Sequence, residues 1–129
     1  MSDAATRKPV VLLLDDELEL RAVMARMLED QFEVEGAANV EEARMLFASR
    51  AFDALVCDHM MPGATQGLDF LVEAMTVQPN AKRILMTGYM NPELLARGVT
   101  LAQLSGVLLK PCSAQHIRKA LHDALGLSV

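Results

Sequence analysis

The 129-residue chain holds little of what marks a secreted, membrane-bound or nucleic-acid-binding protein. Two cysteines, Cys57 and Cys112, are too few for the disulfide framework of a small secreted domain. No apolar run approaches the ~18 residues of a membrane span, and residues 1–9 lack the apolar centre of a signal peptide. Basic residues are outnumbered, 12 Lys and Arg against 17 Asp and Glu, for a net charge of −5. The basic face of a nucleic-acid binder is therefore not expected. His59, His116 and His122 are scattered and form no zinc-ligand spacing with the cysteines. No Gly-x-Gly-x-x-Gly follows the first apolar run, which argues against a dinucleotide-binding enzyme. Repeats, low-complexity segments and Gly/Ser/Pro linkers are also missing.

What is present suits one soluble, cytoplasmic globular domain. Hydrophobic residues make up 52% and charged residues 22%, and the length is close to the ~150 residues of a typical domain. The chain is expected to be one unit over 1–129, with its core at about 9–125 and no output domain.

The apolar pattern switches between two periods, the mark of an α/β domain with a mostly parallel sheet. The runs 10–14, 54–57, 84–86 and 107–109 are nearly continuous, as in strands covered on both faces. Phe32-Glu33-Val34-Glu35 alternates, which predicts an edge strand with one wet face. Between them, Leu20, Val23, Met24, Met27 and Leu28 line one face of a helix. Asn39 and Glu42 predict a capping box opening a second helix. Leu68, Leu71, Ala74 and Met75 give a third, and Asn91-Pro92-Glu93 starts a fourth, which Gly98, Val99 and Thr100 soon weaken. Ser113 caps a fifth, which Gly126 stops. His116 and His122 are expected on the solvated face of that last helix, and Met24, Met27, Met45 and Met75 at or beside core positions. The two thiols read as buried or partly buried rather than redox-active.

Chemistry should gather where the strands end. Asp15-Asp16, Asp58, Thr87 and Lys110 each follow an apolar run. In a parallel sheet all carboxyl ends lie along one edge, where ligands bind. Singly, each residue has a plainer reading: Asp15-Asp16 as helix caps, Asp58 as the start of a loop, Thr87 as a turn residue, Lys110 as a solvated strand end. Jointly, three acids, a hydroxyl and a lysine converge on one site. Packed carboxylates repel one another, and a hard divalent cation such as Mg²⁺ relieves that repulsion. Mg²⁺ beside a lysine and a hydroxyl suits a phosphoryl group, with Asp58 as nucleophile.

At these residues the sequence resembles a response-regulator receiver domain of bacterial two-component signalling. The resemblance spans about Pro9 to Leu125 and rests on Leu-Leu-Leu-Asp-Asp-Glu at 12–17, Cys-Asp-His-Met-Met-Pro-Gly at 57–63, Met-Thr-Gly-Tyr at 86–89 and Leu-Leu-Lys-Pro at 108–111. It implies a flavodoxin-like (βα)5 fold of strand order 2-1-3-4-5. It implies Asp58 as phosphoacceptor, Asp16 and Asp58 as direct Mg²⁺ ligands, Asp15 acting partly through water, and the carbonyl of Met60 completing the metal site. Lys110 resembles the phosphate-contacting lysine, ordinarily followed by a cis-proline, here Pro111. Thr87 resembles the switch hydroxyl. The implied donors are a sensor histidine kinase or a histidine phosphotransfer protein. The implied readers are a downstream protein or output domain, with a phosphorylation-dependent dimer as a further possibility and with no nucleic acid or membrane contacted directly. The chain then promotes only its own phosphorylation and dephosphorylation.

Two departures stand out. Three positions before Lys110, where the family has an aromatic switch residue, the chain has Val107. The loop Pro62–Gly67 is one residue longer than the commonest form. Val107 favours an alternative, a pseudo-receiver that binds partners without phosphate; the intact Asp15, Asp16, Asp58, Thr87 and Lys110 oppose it. An aspartate-nucleophile phosphohydrolase would carry a second acid at position 60, where Met60 stands. Met60 and Tyr89 flank the path of the attacking water and position it poorly, so slow self-dephosphorylation is expected. Leu94, Leu95, Val107 and Ile117 are the expected neighbourhood of the signalling surface.

Overall fold

The computed structural model describes residues 7–60, 63, 65–88 and 92–127. Five strands and five helices alternate: β1 (Val10–Leu14), α1 (Leu18–Leu28), β2 (Glu33–Ala37), α2 (Val40–Ser49), β3 (Ala54–Asp58), α3 (Gly67–Val77), β4 (Lys82–Thr87), α4 (Pro92–Arg97), β5 (Gly106–Leu109) and α5 (Ala114–Leu125). After α4 the chain widens into a π-helical turn, Gly98–Ala102, where the sequence weakens as a helix former. All strand pairs are parallel, in the order β2-β1-β3-β4-β5. This is the flavodoxin-like arrangement expected.

Side chains alternate across each strand, so the sheet carries two cores. Val10, Leu12, Leu14, Leu55, Cys57 and Leu85 pack with Phe47, Phe70 and Leu71 of α2 and α3. Val11, Leu13, Val56, Ile84 and Met86 pack with Met24 and Leu28 of α1 and with Ile117 and Leu121 of α5. Three of the four phenylalanines sit on the first face: Phe47 stacks on Phe52 at 5.4 Å and meets Phe70 edge-on at 6.1 Å.

Caps form largely as the residues dictate. Asn39 Oδ1 accepts the amide of Glu42 at 2.9 Å, but the Glu42 carboxylate reaches the amide of Ala38 rather than that of Asn39, so the box closes one residue early. Ser113 and His116 form a reciprocal box at the start of α5, and Gly126 ends it at φ 67°. Asn91 lies outside the described residues, as do Met61, Pro62, Ala64 and Tyr89.

Several expectations are corrected. β2 runs over Glu33–Ala37 instead of starting at Phe32, because the Phe32 amide donates to Leu28 O at the end of α1 and the pairing with β1 begins at Val10–Glu33 and continues to Leu14–Ala37. Phe32 is instead fully buried beneath α5. β5 is the second edge of the sheet, and Leu109 is half exposed. Met27 and Met45 face solvent. His122 is buried: its ring stands edge-on to Phe32 at 5.9 Å, and Nε2 lies 3.0 Å from Gln31 Oε1. Ile117 is a core residue, not part of a surface.

Candidate functional site

The carboxyl ends of β1, β3, β4 and β5 bring Asp15, Asp58, Thr87 and Lys110 to one edge of the sheet. Asp15 and Asp58 are 2% and 3% exposed and Thr87 is 2% exposed. Carboxylates are almost never that buried without partners, and both acids have them.

Asp15 leaves β1 with its main chain held on both sides. Its N–H donates to Ala37 O at 3.1 Å, and its carbonyl accepts from Arg21 Nη1 at 2.7 Å. Its Oδ1 accepts the amide of Glu17 at 2.9 Å; the cap position of α1 is Glu17, with no side-chain cap bond, so the plainer reading of Asp15-Asp16 as helix caps does not hold. The resulting turn gathers Asp15, Asp16 and Glu17, whose ligand atoms lie within 4.8 Å of one another. Glu17 joins the acids expected at the site, and its place directly after the acid pair is the signal for it in the sequence.

Asp58 ends β3. Lys110 Nζ donates to its Oδ2 at 2.7 Å, and the amide of Met60 donates to its Oδ1 at 3.2 Å. The Met60 main chain therefore lies at the site while its side chain points to solvent. Lys110 itself is tied to β4 by its amide, which donates to Thr87 O at 2.8 Å. The Lys110–Pro111 peptide is cis.

Gly67 makes this geometry possible. Its amide donates to His59 O at 2.9 Å. A Cβ there would fall 2.1 Å from Asp58 O and 2.8 Å from His59 Cα. Only glycine lets α3 begin against the end of β3.

The electrostatics follow the crowding. Burial, above all, and then the charge of Asp58 raise the Asp15 carboxyl above its ordinary range; the Glu17 amide and Lys110 oppose this. Burial pushes the Lys110 ammonium down, but its bond to Asp58 and the surrounding acids outweigh burial and raise it. An acid whose folded pKa is raised is most stabilising when protonated, so stability falls as pH rises through that folded value. Asp15→Asn keeps the oxygen that accepts the Glu17 amide and removes the charge. It is expected to raise the melting temperature of the metal-free protein at pH 7. An unchanged or lowered melting temperature would show that the ionised carboxyl carries no cost.

A cavity of about 360 Å³ flanks the site, with Leu20, Met24 and Ile117 on its apolar wall and Asp15, Arg21 and Lys110 at its polar edge.

The fold defines a flavodoxin-like α/β domain, with acids, a hydroxyl and a lysine gathered at the carboxyl ends of its strands. The chain belongs to the response regulator receiver domain family, whose model matches residues 11–122, and it is thereby a two-component signalling domain. It is 32% identical, over 97% of its length, to the hydrogenase transcriptional regulatory protein HoxA of Cupriavidus necator, and covers 25% of that protein. The chain thus spans about a quarter of the length of the curated relatives it matches. The signal receiver domain of an HD domain-containing protein from Pseudomonas fluorescens Pf-5 superposes with a TM-score of 0.85 at 26% identity, covering 93% of this chain and 96% of that one. A response regulator from Burkholderia pseudomallei, determined with a phosphorylated aspartic acid, a calcium ion and citrate, gives 0.80 at 26% identity, over 91% and 69%. Among the described residues no helix is long and apolar enough to cross a membrane.

Proposed function

We propose that the chain accepts a phosphoryl group on Asp58 from a phosphohistidine, carried by a sensor kinase or a histidine phosphotransfer protein in the cytoplasm. The observation that carries this reading is the buried Asp58 carboxylate held by Lys110 at 2.7 Å beside the acidic turn. Lys110 fixes Oδ2 and leaves Oδ1, with its long 3.2 Å bond from the Met60 amide, as the attacking oxygen. The Oδ1–P bond forms as the P–N bond breaks, and the electron pair leaves on the imidazole nitrogen. Lys110 then moves its charge to a phosphoryl oxygen, and the Thr87 hydroxyl donates to another.

The donor set fits a hard divalent ion: the carboxylates of Asp15, Asp16 and Asp58 and the carbonyl of Met60 would hold Mg²⁺, with Glu17 alongside. Bound there, Mg²⁺ supplies charge neutralisation for the transferring oxygens. The B. pseudomallei relative, with its phosphorylated aspartic acid and calcium ion, supports both halves of the reading.

Residues 1–129 form one receiver unit on this reading, and the phosphoryl group, adding roughly −1.5 to −2 charges, biases a two-state arrangement of the loops and α4. A downstream protein, an attached output domain or a second copy then reads that surface; the HoxA relative is a transcriptional regulator. Val107, half-buried on β5 and paired with Leu85, leaves no aromatic to swing at the usual position, so the relay runs through α4 and its flanking loops. This same feature favours the second reading, a pseudo-receiver that docks without phosphate. Met60 and Tyr89 make dephosphorylation slow, with a half-life longer than seconds.

Borohydride reduction after treatment with acetyl phosphate and Mg²⁺ separates the readings, since it turns an aspartyl phosphate into homoserine. Peptide masses should place homoserine at position 58. Homoserine elsewhere, or none, would overturn the assignment.

A further inference from the structure

We propose that Arg21 and Gly36 act as a positioning pair for the acidic turn, setting its affinity for the divalent cation. The inference rests on the reading of that turn as the Mg²⁺ site. Arg21 lies one turn into α1, and its side chain runs back toward the helix start, the direction helical side chains take. Its Nη1 donates to the carbonyl of Asp15 at 2.7 Å. To reach it, the stem crosses β2 at Gly36. A Cβ at position 36 would stand 2.9 Å from Arg21 Cδ, 3.0 Å from Nε and 3.2 Å from Cγ.

Glycine inside a strand carries a conformational cost and often marks a close approach. Here the approaching group is the arginine stem. The adjoining residue, Ala37, accepts the Asp15 amide at 3.1 Å. The end of β2 therefore acts on Asp15 twice: directly through Ala37, and through Gly36 by leaving room for Arg21. Both peptide groups of Asp15 are fixed, and with them the direction in which the chain presents Asp15, Asp16 and Glu17. Arg21 aims its fork at a main-chain carbonyl, so it orients the ligands without competing with the metal for their oxygens. Groups that orient metal ligands typically change metal affinity 10–100-fold when removed.

The test is Mg²⁺ titration of the full chain, followed by the amide NMR signals of residues 15–17, with metal-free melting temperatures measured in parallel. Arg21→Ala and Gly36→Ala should each weaken Mg²⁺ binding roughly 10-fold. Gly36→Ala made on top of Arg21→Ala should weaken it no further, because the obstructed stem is gone. Arg21→Lys, which keeps a donor at the end of a stem, should recover part of the loss. Should Arg21→Ala fail to fold, Gly36→Ala and Arg21→Lys carry the same comparison. A purely structural role would lower the melting temperature and leave the Mg²⁺ affinity at the wild-type value, and that result overturns the inference, as does an additive double variant. If the wild type itself binds no Mg²⁺, or Asp16→Asn binds it as tightly, the reading of the metal site fails instead.

Discussion

Gly67→Ala is expected to be among the most damaging single-methyl additions in the chain. The new Cβ would lie 2.1 Å from Asp58 O and 2.8 Å from both Asp58 C and His59 Cα. All three atoms are main chain, so no side-chain rotation relieves the clash. At Gly36 the obstacle is a flexible arginine stem, and at Gly106 the nearest atom is 3.7 Å away. Overpacking typically costs ~1–3 kcal/mol and more where the surroundings cannot yield. A loss of ~3 kcal/mol or more is therefore expected, enough to lower the melting temperature by ~10 °C. Two of the three displaced atoms belong to Asp58 itself, so phosphorylation should be lost along with stability. A variant that melts within ~2 °C of wild type would contradict the close approach of α3 to β3.

Lys110→Ala is expected to separate metal binding from phosphoryl transfer. The substitution removes the cation 2.7 Å from Asp58 Oδ2 and leaves the acidic turn of Asp15, Asp16 and Glu17 in place. Deleting one preorganised group that meets developing charge typically costs 10²–10³ in rate. Phosphorylation by acetyl phosphate should fall by that factor, while Mg²⁺ affinity stays within a few-fold of wild type. The variant should also differ in alkali. The partners that raise Lys110 contribute stability that is present below its unfolded value of ~10.4 and lost as pH rises through the higher folded value. Lys110→Ala should lack that alkaline component in a pH series of urea melts. Transfer at the wild-type rate would remove Lys110 from the proposed site.

Much of this was legible in the residues. Continuous apolar runs marked β1, β3 and β4, and the polar residue that closes each run turned out to lie at one edge, because a parallel sheet aligns its carboxyl ends. Periodicity reports which face a residue takes, not how deep that face lies. Met27 holds inward spacing and Met45 stands beside the inward Leu46, yet both are exposed. His122 has the spacing of a wet face, yet α5 passes over Phe32 and Gln31 and the ring is covered there. The run at 107–109 reads as a covered strand but forms an edge, since the number of neighbours a strand has is set by topology. Gly67 and Gly36 gave no local signal, because each is dictated by an atom distant along the chain or on another element. Asp15, Asp16, Asp58, Thr87 and Lys110 were legible as a set only jointly.

The most direct measurement is the intact mass of wild type and Asp58→Asn after incubation with acetyl phosphate, with Mg²⁺ and with the ion chelated. Wild type should gain the mass of one phosphoryl group in Mg²⁺ and none without it, and Asp58→Asn should gain none in either condition. An adduct that persists in Asp58→Asn, or a wild type that gains no mass with acetyl phosphate and with a phosphorylated phosphotransfer protein alike, would contradict the account and leave the chain as a receiver fold that docks without phosphate.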